Sequence, residues 1–439
     1  MNLRKISYNI FRSSLLKNSF VYVLTDGINS AIPFVLLPFI SRYLTPTDYG
    51  IVSNYNVLIQ ILSVFVYLAT VGMIPVMFFK TDKEDLKIYI SNMIALDTMV
   101  SGICIFLLLL FSDSVDKGLG IPFIFQLLAV LSVWFTSVSY LNLTLWRCEE
   151  APLKFGAFQI SQTLINALTT ILFVIALLMS WQGRVYSMLI SSGIMGILSI
   201  YVLYKRGFLR IKLSKRHMNK ITWFGLPLIP HALSFWLKSG ANKVLLSNMC
   251  GLEDNGLYSV AMNWGAVVAL FTTAFSNAYS PWLFQKLANI DKNQNDTRSE
   301  QTMIVKLIWI FLVILFLFVG IVYVASYFLT FVVFPESYYR SLDYLPMIMV
   351  EQAFTGGYLL FVCFCHYTLN TKGLGAITFS LSLIQVFISY LLINIIGPIG
   401  VAYSSALVSM FTFAFIMLYA MHVYRLPWFK LKLIRKCNE

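Results

Sequence analysis

Ionisable side chains fall inside long apolar stretches of the sequence, and five of them are candidates for function: Asp26, Asp97, His231, Lys238 and Glu351. An ionised group in a hydrocarbon layer is costly, so such residues usually face a polar interior and take part in ion or substrate movement. Lys238 is a candidate to attract an anionic ligand, and Asp26 and Glu351 are candidates to line a cavity. Asp26, Asp97 and His231 are candidate coupling groups because a carboxyl or an imidazole can exchange a proton. A structural role is the alternative for each: Lys238 extends to the external end of its span or pairs with a carboxylate, Asp26 caps or packs at the cytoplasmic end, and the other three are hydrogen-bonded within the protein.

Uncharged polar residues form a second pattern, in which Gln159, Gln162 and Asn166 are spaced by three and four residues. On a helix this spacing places all three amides on one face. That face is expected either to contact sugars in a cavity or to hold neighbouring helices together. Arg42 and Arg340 lie outside the apolar stretches, where a guanidinium can meet an anionic group as it arrives or leaves.

Motifs for metal or nucleotide chemistry are missing from the sequence. The six cysteines are scattered and have neither zinc-ligand nor disulfide spacing, so we expect no metal site. The phosphate-binding pattern Gly-x4-Gly-Lys-Ser/Thr does not occur, so direct ATP hydrolysis is not expected. We therefore expect no cofactor, which leaves coupling to protons or sodium ions open.

Twelve apolar stretches, most of them long enough to cross a bilayer, carry these residues. A membrane-spanning helix needs about 20 apolar residues, and the chain is 59% hydrophobic with only 12% charged residues. This composition predicts an all-α polytopic membrane protein without a soluble catalytic domain. The predicted spans are 18–41, 50–76, 88–111, 120–146, 155–180, 186–204, 221–242, 256–284, 303–333, 343–367, 374–396 and 398–423.

The basic residues alternate between the two sides of these spans. The termini and the loops after even-numbered spans carry 25 of the 32 Lys and Arg residues, whereas the loops after odd-numbered spans carry five. Loops rich in Lys and Arg remain in the cytoplasm, so both termini are predicted to be cytoplasmic. This distribution accounts for the net charge of +13, and we expect no nucleic-acid binding.

The chain divides into two sets of six spans. Segment 205–220 carries seven Lys and Arg residues and is predicted to be a cytoplasmic linker between an N-terminal lobe (1–204) and a C-terminal lobe (221–439). A weak internal repeat supports the division, because Asp48 and Gly50 recur as Asp254 and Gly256 at an offset of 206. Six spans per half give a pseudo-twofold axis along the membrane normal, and we expect a central cavity between the lobes.

Two segments resemble a known family. The start of span 7, Phe224-Gly-Leu-Pro227-Leu-Ile-Pro230, and the later Gly256-Leu-Tyr-Ser-Val-Ala261 are similar to signatures of the polysaccharide-exporting branch of the multidrug/oligosaccharidyl-lipid/polysaccharide exporter superfamily. The segment Pro38-Phe-Ile-Ser-Arg-Tyr-Leu also resembles that family's first helix and loop. The similarity is strongest to Wzx (RfbX)-type O-antigen flippases. One departure is Asn242, which stands beside Lys243 where family members commonly have Asp.

This resemblance implies a flippase that moves undecaprenyl-diphosphate-linked oligosaccharides from the inner to the outer leaflet of the bacterial inner membrane by alternating access. The implied partners are this lipid-linked substrate, bilayer lipids, and other assembly proteins such as a polymerase and a chain-length regulator. An ion-coupled antiporter of small cationic drugs from the same superfamily is the alternative function. A membrane-bound polymerase or glycosyltransferase is disfavoured because no predicted external loop exceeds roughly 13 residues, too short for a catalytic loop.

Overall fold

A computed structural model describes residues 14–67, 70–210, 212–292 and 298–428, and this part of the chain contains fourteen α-helices and no strand. Each of the twelve predicted spans coincides with one of these helices or with a consecutive pair. In chain order the helices are α1 (Ser14–Ile40), α2 (Pro46–Val66), α3 (Thr70–Lys80), α4 (Lys83–Leu119), α5 (Phe123–Cys148), α6 (Pro152–Thr170), α7 (Ser180–Lys205), α8 (Lys215–Gly225), α9 (Ile229–Met249), α10 (Leu252–Lys292), α11 (Arg298–Val333), α12 (Leu345–Tyr367), α13 (Thr371–Ile396) and α14 (Gly400–Val423).

The described helices confirm the all-α membrane class. Ten of them are long and apolar enough to cross a membrane, and α1 contributes a shorter apolar segment, Leu24–Ile40. With 41 residues, α10 is about 60 Å long, roughly twice the thickness of the hydrocarbon layer, so its ends must extend into water. The count of twelve spans and the cytoplasmic termini stay predictions.

Two predicted spans are interrupted rather than continuous. Predicted span 2 consists of α2, which ends at Val66, and α3, which begins at Thr70. Predicted span 7 consists of α8, a short 3-10 turn (Leu226–Leu228) and α9. The turn contains Pro227, and Pro230 follows it in the first turn of α9. Because proline has no N–H to donate, the sequence predicts a bend at these positions, and the 3-10 turn interrupts the α-helix there.

The chain forms two compact units, Met1–Gly256 and Leu257–Glu439. In the first unit α5 packs against α7, and α1 packs against α6. The division into two lobes of six spans, joined by a linker at 205–220, stays a prediction.

In the second unit α14 packs against both α12 and α13. Ser389 and Ser404 share a hydrogen bond between α13 and α14. Near the end of α10 the Asp291 carboxylate accepts hydrogen bonds from Tyr367 (2.6 Å) and Tyr424 (2.8 Å). Burial raises the pKa of Tyr424, and the hydrogen bond to Asp291 raises it further. The Tyr424 phenol therefore stays protonated at neutral pH and ties the end of α14 to α10.

In the first unit two glycines pack the starts of α2 and α10 closely together. A Cβ atom added at Gly50 would overlap the Leu252 carbonyl oxygen, and one added at Gly256 would overlap the Pro46 carbonyl oxygen. The pattern is reciprocal, because Pro46 and Leu252 begin the two helices at the same offset of 206 that separates the two glycines. Such contacts allow backbones to approach closely in membrane helices, and the reciprocity supports the internal repeat.

Buried asparagines reinforce this crossing. Asn54 on α2 donates to the Ser247 hydroxyl (3.0 Å) and to the Leu119 carbonyl oxygen (2.8 Å). Asn255 donates to the Asn54 side-chain oxygen at 2.8 Å. Both asparagine side chains are fully buried and cannot reach water. Their amide N–H groups are hydrogen-bonded to other helices instead.

The predicted orientation is testable by cysteine labelling, because Leu213, in the loop before α8, is 66% exposed. In a variant whose six native cysteines are serines, we expect Leu213→Cys to react with a membrane-impermeant maleimide only from the cytoplasmic side. Lys117→Cys, at an exposed position near the end of α4, should react only from outside and serves as the matched control. Labelling of Leu213→Cys in intact cells would reverse the predicted topology.

Candidate functional site

One face of α6 carries an uninterrupted row of polar side chains, which we call the α6 ladder: Gln159, Thr163, Asn166 and Thr170. The spacing of four, three and four residues keeps the row on one side of the helix over three turns. Three of the four side chains are half-buried, and Thr170 is fully buried. The ladder includes two of the three residues predicted to share a face; the third, Gln162, lies beside the row and is half-buried.

Hydrogen bonds connect the α6 ladder to α1 and α7. Thr163 donates to the side-chain oxygen of Asn29 on α1 at 2.9 Å. On the other side, Asn166 donates to the Ser191 hydroxyl at 3.1 Å, and Thr170 donates to the Ser187 hydroxyl at 2.8 Å. The three helices therefore meet along a polar seam, and α6 and α7 are long and apolar enough to cross a membrane.

Arg184 on α7 completes the seam and supplies its positive charge. Its Nη1 atom donates to the Asn166 side-chain oxygen (2.5 Å) and to the Thr170 hydroxyl (2.7 Å). The helical segment that contains the α6 ladder ends at Ala176. Along the helix axis, Thr170 lies six residues (roughly 9 Å) and Asn166 ten residues (roughly 15 Å) before that end. A charged side chain near a helix end normally extends toward the nearby interface. The Arg184 side chain instead extends inward, along α6.

The connection between α6 and α7 fixes the position of Arg184. After Thr170 the helix widens into a π-helical turn, Ile171–Ala176, a feature often found at functional sites. Leu178 and Ser180 then adopt positive φ angles of 52° and 51°, which is strained for residues other than glycine. The Ser180 hydroxyl donates to the Asp48 carboxylate at 2.7 Å. This short anchored connection holds the start of α7 against α6.

Two buried polar atoms on the seam have no hydrogen-bond partner among the described residues: Nδ2 of Asn29 and Oε1 of Gln159. One is a donor and the other an acceptor. A buried polar group without a partner is destabilising, so the seam offers unused hydrogen-bonding capacity. A sugar hydroxyl can donate and accept at once and matches this pair chemically.

The other predicted residues of the first unit lie in different surroundings. Asp26 is exposed on α1, one turn from Asn29, and makes no side-chain hydrogen bond or ion pair with a described residue. Asp97 on α4 is only 1% exposed and is not part of the seam. Arg42 is exposed in the loop before α2, Lys238 is half-buried on α9, and the side chain of His231 lies outside the described residues.

In the second unit Glu351 is buried on α12, and Arg340 is exposed in a short 3-10 helix, Glu336–Asp343. This unit also contains a cavity of about 440 Å³ between α10, α11 and α12. Its walls are almost wholly apolar, so it does not suit a charged or sugar-bearing headgroup. Its lining residues are Phe275, Ala278, Tyr279, Trp282, Leu307, Ile308, Ile310, Phe311, Ile314 and Leu360.

Sequence reasoning assigned Arg184 to a loop and gave it no role, and it did not identify Thr163, Thr170 or Asn29. A signal was present, because Arg184, Ser187 and Ser191 follow a spacing of three and four residues. That spacing places a second polar row on α7. Facing polar rows on consecutive helices predict a seam, whereas a single row does not.

Comparison with known proteins agrees with this architecture. A sequence model of a family described as "Polysaccharide biosynthesis protein" matches residues 39–342. The chain is 26% identical over 280 residues to "Lsg locus putative protein 1" of Haemophilus influenzae strain Rd, a match that covers 62% of this chain and 66% of that protein.

Solved structures of membrane transporters share the fold. An inward-facing multidrug resistance MATE family transporter of the MOP superfamily aligns with a TM-score of 0.69 at 14% identity, covering 90% of this chain and 94% of that one. The lipid II flippase MurJ, in an inward closed conformation, aligns with a TM-score of 0.68 at 14% identity, covering 92% of this chain and 87% of that one. At this identity the similarity is one of fold.

Proposed function

The chain belongs to the polysaccharide biosynthesis protein family, and from this premise we propose that it is a flippase for lipid-linked oligosaccharides. The proposed substrate is an undecaprenyl-diphosphate-linked repeat unit of O-antigen or a related surface polysaccharide. The protein would move this unit from the cytoplasmic to the outer leaflet of the bacterial inner membrane. Membrane-spanning helices with a transporter fold support the general class.

The observation that carries the proposal is the polar seam around the α6 ladder. A glycan and a diphosphate cannot enter hydrocarbon without a large loss of hydration free energy. The seam supplies amide and hydroxyl groups over three turns of α6, together with the positive charge of Arg184. A headgroup moving along it would exchange water for protein hydrogen bonds, while its polyprenyl chain stays in the lipid.

Alternating access between two lobes is the proposed mechanism, with both termini in the cytoplasm. Proton or sodium coupling through Asp26, Asp97 or His231 is the proposed energy source. In this arrangement Lys238, Glu351, Arg42 and Arg340 are proposed to contact the headgroup at other stages of its path. A polymerase and a chain-length regulator are the proposed partners that use the delivered repeat unit.

Deletion of the gene in its native bacterium tests the function. We expect single repeat units linked to undecaprenyl diphosphate to accumulate, surface polysaccharide to disappear, and a plasmid copy to restore both. Extracted lipids analysed by mass spectrometry, together with quantified surface glycan, give the two readouts. Intact polysaccharide with new sensitivity to cationic drugs would contradict the flippase proposal and favour the small-molecule antiporter.

A further inference from the structure

The guanidinium of Arg184 has five N–H donors, and the seam uses only one of its nitrogen atoms. Nη1 contacts Asn166, Thr170 and, at 3.5 Å, Ser187. Nε and Nη2 make no hydrogen bond to any residue that the structure describes. These two atoms form the edge of the guanidinium that binds carboxylates and phosphates through two parallel hydrogen bonds.

The charge of Arg184 is also uncompensated. No carboxylate of the described residues lies within 4.0 Å of its guanidinium, and its three partners are a neutral amide and two hydroxyls. The Asp48 carboxylate, on α2, accepts hydrogen bonds from Thr45 and from Ser180 at the start of α7 instead. The local field therefore favours an anion.

The structure shows why this arginine is held in place without being neutralised. Asn166 and Thr170 bind one nitrogen and orient the planar group, and Gly183 lets α7 approach the π-helical turn. A Cβ at Gly183 would lie only 3.0 Å from the backbone carbon of Phe173. An arginine needed only for packing would gain most from a carboxylate partner in a medium of low dielectric constant. The neutral partners keep the cation available to a ligand.

We propose that the Nε and Nη2 edge of Arg184 binds a phosphoryl oxyanion, and that this oxyanion belongs to the diphosphate of the transported lipid. The second part rests on the function proposed above, whereas the first rests on the geometry alone. The planar edge matches two oxygens of one phosphoryl group, and the amides of the α6 ladder continue from there toward the attached sugar. Anionic membrane lipids present the same chemistry, so the test must separate the two sources.

Native mass spectrometry of the full-length protein, released from detergent micelles, measures this binding. The probes are undecaprenyl diphosphate without sugar and, separately, phosphatidylglycerol. We expect Arg184→Gln to weaken binding of the diphosphate by about tenfold or more, as for loss of hydrogen bonds to a charged group. Arg184→Lys should weaken it less, because it keeps the charge but loses the paired donors. Arg216→Gln, which removes an exposed arginine at the start of α8, controls for net charge.

Unchanged affinity in Arg184→Gln would overturn the proposal. If that variant does not fold, Arg184→Lys takes its place, and affinity equal to the wild type would be equally decisive. An equal loss of phosphatidylglycerol binding would reassign the site to general lipid phosphates and overturn its link to the substrate. These outcomes are independent of the gene deletion, because the binding assay does not measure translocation. A deletion without accumulated lipid-linked sugars contradicts the flippase, not the anion site.

Discussion

Replacing Gly50 with alanine is expected to destabilise the protein strongly, although alanine is the better helix former. The added methyl group would overlap the Leu252 carbonyl oxygen, and the neighbouring amide of Gly256 also lies within contact distance. Backbone atoms cannot rotate away as a flexible side chain can, so the starts of α2 and α10 must separate. Overpacking of this kind costs typically 1–3 kcal/mol and sometimes more. Heating followed by fluorescence-detected size-exclusion chromatography should show a melting midpoint lower by several degrees.

The matched control is Gly102→Ala on α4, where an added Cβ has no atom within 4 Å. There the substitution should be neutral or slightly stabilising, since alanine exceeds glycine by up to about 1 kcal/mol in helix propensity. Gly256→Ala should reproduce the effect of Gly50→Ala because the contact is reciprocal. Equal midpoints for Gly50→Ala and Gly102→Ala would mean that the close crossing does not exist in the folded protein.

The close crossing of α2 and α10 illustrates which features of the fold can be predicted from the sequence and which cannot. Length and hydrophobicity determine where a helix can cross a membrane, so the predicted spans coincide with the observed helices. The offset of 206 between Gly50 and Gly256 was visible as a repeat. The contact between the two glycines joins residues that are 206 positions apart. It could not be predicted, because no periodicity within either segment indicates which distant segment it packs against.

The direction of the Arg184 side chain is a feature of the site that could not be predicted from the sequence. The sequence places Arg184 in the loop between predicted spans 155–180 and 186–204, outside the apolar stretches. The observed direction depends on Asn166 and Thr170, which belong to the preceding helix, and on a connection with positive φ angles at Leu178 and Ser180. Positive φ at leucine and serine contradicts their intrinsic preference, so local sequence argues against the geometry that tertiary packing imposes.

The family and the seam together bear on the choice between flippase and drug antiporter. A pocket for cationic drugs requires negative charge to offset the ligand. The polar seam instead contains one cation and neutral amides and hydroxyls, while Asp97 is buried elsewhere in the first unit. The chemistry of the described seam therefore suits an anionic, hydroxyl-rich headgroup.

Asn166→Asp is expected to reduce export of surface polysaccharide at least about tenfold while leaving the protein folded. The substitution is nearly isosteric and places a carboxylate oxygen where the amide oxygen now accepts from Arg184 at 2.5 Å. An ion pair would then neutralise the guanidinium. A substrate phosphoryl group would lose a charge-assisted interaction that contributes roughly 1.5–3 kcal/mol, equivalent to tenfold or more in affinity. Surface glycan in the deletion strain, complemented at matched membrane levels, gives the measurement.

This substitution separates a binding role from a structural one because the two predict opposite results. If Arg184 only joins α6 to α7, the new ion pair should raise the melting midpoint and leave export intact, and full export would reject the binding role. Asn394→Asp, the same change at an exposed position of α13, controls for a carboxylate in a membrane helix and should export normally. In an Arg184→Gln background, Asn166→Asp should cause little further loss of export, because the cation that it neutralises is already gone.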